Sequence, residues 1–312
     1  MNLKKLFFLF FILQNAFVFS QSKKQFFSDT LRSVNIDSAM AVTAKRGLTI
    51  NDFTTVMLQD TLFYEAFTAL KKYSFIAENK IITYDDAQKQ TGKIYRKIKH
   101  VNEGLRYHQE LIQKKDSGRV IKYNGEFDLF TVRMFSYIFM NEKNTDFLAY
   151  KKVTKKESDE EAYKEKLKTL LFTPGKPVKG VPLISDKTAI FSPELAKYYQ
   201  YSFYYATYQG DIPVYYFKCK LKEGISWWNK DDTMIKELTT IFDAKNMKIL
   251  GRFIDMAYAS LPFDFHVKMN IELSYLNEEI LVPTHISYDG DWDIPFKKRE
   301  ICTFDIKHYN FN

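Results

Sequence analysis

The sequence predicts a mainly β, α+β protein: one strongly curved antiparallel sheet, a half-barrel of about eleven strands, with helices over its concave face. Three observations predict it. Phe263, Phe265, Val267, Met269, Ile271, Leu273 and Tyr275 alternate with Asp264, His266, Lys268, Asn270, Glu272 and Ser274, which is a long strand with one apolar and one wet face. From Tyr199 onward the chain is almost all strand, in meander order. Strong helical patterning is confined to an N-terminal segment and to insertions midway. An apolar fraction of 46% supplies ample material for one core.

Taken in order, Lys4 and Lys5 precede an apolar run from Leu6 to Phe19, with Val18 and Ser20 before a cut at Gln21. That is the pattern of a secretory signal peptide, and the run is shorter than the roughly 20 apolar residues of a membrane span. No cysteine stands near the cut site to carry a lipid. The expected organisation is a signal peptide at 1–20, a polar leader at 21–48, and one half-barrel domain at 49–312 with a helical insertion at 127–182. The chain is therefore expected to be periplasmic or secreted.

Asn51 to Lys72 reads as one helix, capped by Asn51 or Thr49, with Phe53, Val56, Met57, Phe63, Tyr64, Phe67 and Leu70 on one stripe. Asp60 falls inside that stripe, so it is predicted to be a buried, satisfied carboxylate tying helix to sheet. Residues 75–124 read as about four strands, broken at Asp85-Asp86, Asn102 to Gly104 and Ser117-Gly118. Phe127 to Met140 is apolar nearly all round, which describes a helix that is buried or that covers an apolar surface. Ser158 to Glu161 is a capping box opening a helix to Phe172.

The hairpin at 199–222 is expected to turn at Gly210-Asp211, placing Tyr204 opposite Phe217 and Ala206 opposite Tyr215. A second hairpin follows, with Asn246 in the left-handed position. The strand from Ile280 pairs with the long strand so that Tyr275 meets Ile280, Met269 meets Ile286 and His266 meets Asp289. The last strand puts Cys302, Phe304 and Ile306 on one face. Cys219 and Cys302 sit mid-strand and far apart, as two buried thiols rather than a disulfide.

One stretch imitates a metal site. In "YDGDWDIPFKKRE", counting from Asp289, carboxylates fall at positions one, three and five, with Glu300 at twelve, the spacing of an EF-hand loop. Position six is Ile294 where the sharp turn needs glycine, and both flanks are strands. The stretch reads as a solvated hairpin connection, with no metal expected. The histidines have no ligand spacing, no catalytic motif is present, and no cofactor or enzymatic activity is expected. The net charge of +8, or +6 without Lys4 and Lys5, is dispersed and comes with no nucleic-acid motif. Trp227-Trp228, in a loop, suits a rim position.

The segments "DTLFYEAFTALKKYSF", "YYFKCKLK", "TTIFDAKNMKIL" and "LVPTHISYDGDWDIPFKKREICTF" resemble, in strand phrasing and helix placement, the half-barrels of periplasmic lipoprotein carriers of the Lol type. They are also similar to other secreted envelope proteins of that plan. The resemblance implies an apolar or lipid-like ligand on the concave face, with a helix as lid. The arginine that governs the lid in such carriers has no match in this sequence by motif. Tyr204, Phe217, Phe265, Val267, Met269, Ile271 and Phe304 are expected to line the face, and Phe130 and Phe135 to form the lid. The alternative is a structural or protein-partner-binding envelope protein whose cavity its own helices fill.

Overall fold

The computed structural model describes residues 47–104, 106–136, 139, 145–146, 168–178, 186–225, 233–260, 263–293 and 298–312. The expected signal peptide, most of the expected leader, Trp227-Trp228 and much of the expected insertion lie outside them.

Eleven antiparallel strands form one sheet: β1 (Phe75–Tyr84), β2 (Gln90–Asn102), β3 (Arg106–Gly118), β4 (Thr145–Asp146), β5 (Tyr199–Tyr208), β6 (Ile212–Leu221), β7 (Ile235–Asp243), β8 (Ile249–Ser260), β9 (Phe263–Tyr275), β10 (Leu281–Asp293) and β11 (Glu300–Tyr309). Their order is β4-β3-β2-β1-β11-β10-β9-β8-β7-β6-β5. Every connection between neighbours is local in sequence except one, where β1 pairs with the last strand. The sheet stays open at β4 and β5, so it is a half-barrel, as predicted. Residues 75–124 supply three strands rather than four. In place of the fourth, the stretch after Gly118 forms an isolated bridge, Ile121 to Phe127.

The first helix is two. α1 (Ile50–Gln59) begins at Thr49, whose backbone N–H and hydroxyl both reach the Asp52 carboxylate at 2.7 Å. Asp60 then turns extended (φ −63°, ψ 131°), ending α1, and α2 (Leu62–Ala69) follows. The Asp60 carboxylate accepts the Phe63 N–H at 3.2 Å. Asp60 therefore caps the second helix and is only half-buried, where the sequence suggested a fully buried group within one continuous stripe. A carboxylate on an apolar stripe resolves its conflict by breaking the helix and taking an orphan amide.

Two registers depart from expectation. β5 and β6 close through three residues, with Gln209 and Gly210 both at positive φ (49° and 98°), so Phe203 faces Phe217 and Tyr204 faces Tyr216. A slip of one residue reverses the face of every side chain on a strand, and Tyr204 moves to the outer side. In the β9–β10 pair Tyr275 meets Leu281 rather than Ile280, and a bulge at Pro283–His285 adds a second residue of slip, giving Met269 opposite Tyr288 and Asp291 opposite His266. Proline has no N–H for the ladder. The slip beyond it totals two residues, so Ile286 and Tyr288 keep the predicted face. His266 meets Asp255 at 2.9 Å instead of Asp289. In the β7–β8 turn Met247, not Asn246, takes the left-handed backbone (φ 61°), while Asn246 accepts the Lys248 N–H.

The acidic stretch is strand, not turn, as far as Asp293. Its glycine has a packing role. A Cβ at Gly290 would overlap the phenol of Tyr288, whose ring lies back across that position. Among the described residues no cluster of metal-ligating side chains forms. Cys219 and Cys302 are buried free thiols, as predicted, and burial raises the pKa of both.

Candidate ligand-binding face

Cross-strand pairing fixes which side chains share the concave face. Phe217 pairs with Thr240 across β6–β7, and Thr240 with Arg252 across β7–β8. Arg252 pairs with Ile271, Ile254 with Met269, and Met256 with Val267 across β8–β9. Tyr288 pairs with Phe304, and Phe304 with Ile81, across β10, β11 and β1. Phe217, Phe265, Val267, Met269, Ile271 and Phe304 are thus brought together on one floor, and all are buried in one core cluster. Tyr204 is not among them. It stacks on Tyr216 at 5.1 Å on the other face, because of the three-residue turn.

Short helical pieces cover this floor. Phe53 of α1 lies among Phe203, Tyr215, Phe217 and Phe242, stacked on Phe217 at 5.3 Å. Phe67 of α2 meets Phe139 at 5.7 Å and Phe172 at 5.0 Å. α3 (Phe130–Phe135) sets Phe135 against Tyr288 at 4.4 Å and Phe304 at 5.4 Å. α3 starts three residues later than the apolar run suggested, and Phe130, its first residue, is not among its buried side chains. Phe130 is half-buried, beside the Arg133 guanidinium rather than in the core. A fourth helix, α4 (Pro193–Ala196), is a single turn capped by Ser192.

Two side chains that sequence reasoning missed fasten the cover to the sheet. Glu300, at the start of β11, accepts the backbone N–H groups of Phe130 (2.7 Å) and Thr131 (2.8 Å) and the Thr131 hydroxyl (2.6 Å). The carboxylate at position twelve of the calcium-like spacing thus satisfies the first turn of a helix. Arg252 of β8 is fully buried and donates from Nη1 to the carbonyls of Leu171 (3.1 Å) and Phe172 (3.0 Å), in the helical turn at 168–172. Its guanidinium lies 4.4 Å from the Phe63 ring centre. Burial lowers its pKa to about 10, opposed by the attraction of Asp60, and it remains a cation at neutral pH. Desolvation raises the Asp60 pKa, against the Phe63 amide and Arg252. The signal for Arg252 was in the sequence: it occupies the inward phase of β8 with Ile254, Met256 and Tyr258.

Among the described residues, five buried side chains on this face keep polar atoms without a partner. They are the Asn79 amide, the Tyr215 and Thr240 hydroxyls, and Arg252 through Nε and Nη2, with His100 Nε2 a fifth at the far end of the face.

No family model matches the chain, and no curated protein matches it. Among solved structures it is similar to one described as an outer membrane lipoprotein-sorting protein domain from Vibrio parahaemolyticus. The two share 7% identity and a TM-score of 0.26, over 89% of this chain and 93% of that one. The half-barrel rests on this chain's own strand order and packing. Among the described residues no helix is long and apolar enough to cross a membrane.

Proposed function

We propose that this chain is an exported envelope protein that binds an apolar or lipid-like ligand on the concave face of its half-barrel, as a carrier or store. The observation that supports it is the construction of the cover. The floor is covered by separate elements: α1 (10 residues), α2 (8 residues), α3, and the 168–172 turn, whose Leu171 and Phe172 carbonyls accept from Arg252 while Phe172 packs on Phe63 and Phe67. Helices as short as α1 and α2 draw their stability from packing on the sheet rather than from their own hydrogen bonds. Ligand and cover compete for the same apolar surface, so net affinity is the difference between the two burials.

A second reading has its own support. Phe53 and Phe63 of the cover and Met269 and Phe304 of the floor are all fully buried, which supports a face filled by its own cover. In that case the protein is structural or binds a protein partner from outside.

Native mass spectrometry of protein purified from its own envelope without detergent, followed by solvent extraction, separates the two. A reproducible added mass that extracts as lipid supports the carrier. A bare mass, with no rise in melting temperature on adding lipid, removes it. Phe135→Ala opens the cover over Tyr288 and Phe304 and is expected to change lipid uptake only if α3 competes with ligand.

A further inference from the structure

Arg252 and Thr240 stand directly opposite each other on β8 and β7, both fully buried on the concave face. Arg252 spends Nη1 on the carbonyls of Leu171 and Phe172. Among the described residues its Nε and Nη2 have no partner, and neither does the Thr240 hydroxyl. Nε and Nη2 form the side-on edge of a guanidinium, two parallel N–H groups at the spacing of two oxyanion oxygens. Asp60 acts on Arg252 only through longer-range attraction, and its carboxylate is engaged by the Phe63 N–H. A buried cation with an unmatched donor edge is costly. Around it the floor is apolar, with Ile271 paired to Arg252 and Ile254 and Met269 next along the same strands.

We propose that the side-on edge of Arg252, with the Thr240 hydroxyl, binds the carboxylate of a long-chain fatty acid whose chain lies along this floor. The inference rests on the ligand-binding reading above and adds the class of the head. The two parallel donors of one guanidinium edge, with Thr240 on the facing strand, suit the two oxygens and single charge of a carboxylate. A phosphate would bring a third oxygen and up to two charges against one guanidinium. Nη1 remains on the 171–172 carbonyls, so one side chain holds both the cover and the head. A bound head thereby ties ligand occupancy to the position of the helical turn.

The test is calorimetric titration at pH 7.5 with dodecanoate, 1-dodecanol and dodecyl phosphate. The proteins are the full chain, Arg252→Met and Thr240→Val, each with its melting temperature. Charge-assisted hydrogen bonds in a buried site predict dodecanoate binding about tenfold or more tighter than dodecanol. Arg252→Met is expected to erase that preference while dodecanol affinity is kept, and Thr240→Val to reduce it in part. If Arg252→Met does not fold, the wild-type preference and Thr240→Val decide the matter. Equal affinity for acid and alcohol overturns the head assignment, leaves the apolar-ligand reading standing, and assigns the orphan donors to water. Tighter binding of dodecyl phosphate overturns the carboxylate class. No binding of any of the three overturns this inference together with the reading it rests on.

Discussion

Glu300 holds Thr131 twice, accepting its backbone N–H at 2.8 Å and its hydroxyl at 2.6 Å, across 169 residues of sequence. One carboxylate at the head of the last strand thereby sets where α3 begins and which of its side chains face the floor. Glu300→Ala leaves those donors unmatched while the apolar contacts of Phe135 remain. The expected cost is about 1–3 kcal/mol in urea titration. Amide exchange should accelerate most at 131–135. Uniform acceleration across the sheet would show that Glu300 serves the sheet rather than the cover.

Gly290 is replaceable only at the expense of Tyr288. A methyl group there meets the phenol ring that packs on Phe135 and Phe304 and accepts the Trp292 indole N–H at 2.6 Å. Gly290→Ala is expected to destabilise by about 1–3 kcal/mol, as overpacking does. Gly290→Ala with Tyr288→Phe should not restore stability, because the ring itself is in the way. Gly290→Ala with Tyr288→Leu should recover part of the loss. A Gly290→Ala protein as stable as the parent would disprove the account.

His285 stands on the outer face between Asp305 (2.7 Å) and Glu272 (3.6 Å). The hydrogen bond to Asp305, then that to Glu272, raises its pKa to about 9. A raised folded pKa contributes stability that is fully present below the ordinary histidine value near 6.5 and is lost as pH rises through about 9. Stability measured from pH 6 to pH 9.5 should therefore fall. In His285→Gln that slope should flatten, and an unchanged slope would exclude the pair as its source.

His100 and His308 give the opposite slope. Phe75 stacks on His100 at 4.2 Å and meets His308 edge-on at 5.2 Å, and both imidazoles are buried. Burial lowers the pKa of His100 to about 3, helped by His308, and that of His308 to about 4, against its bond to the Pro283 carbonyl. Such groups contribute stability above pH 6.5 that drains away as pH falls toward those values. Chemical denaturation at pH 7, 5.5 and 4.5 should show a progressive loss. His100→Gln with His308→Gln should be less stable at pH 7 but less acid-sensitive. Equal acid sensitivity in the double variant would count against the two histidines.

Alternation over Phe263–Tyr275 and the aromatic-rich hairpins were enough to predict one curved sheet of about eleven strands and most of its floor. Period-two burial is local and survives ignorance of the partner. Phe265, Val267, Met269 and Ile271 were legible for that reason. The face of Tyr204 was not, because one extra turn residue at Gln209 reverses a whole strand, and Pro283 moved a register that side-chain pattern alone could not count.

What remained for the tertiary structure was the partner of each polar group. Asp60 and Glu300 each had a carboxylate's need for donors, but only folding decided that both would serve helix starts, at Phe63 and at Phe130 and Thr131. Arg252 was visibly out of place among the inward residues of β8. That it would spend one nitrogen on the 171–172 carbonyls and keep two unmatched beside Thr240 follows from elements far apart in sequence. Apolar burial is non-directional and can be read from periodicity, whereas a hydrogen bond needs a particular atom within about 3 Å, which only the folded chain supplies.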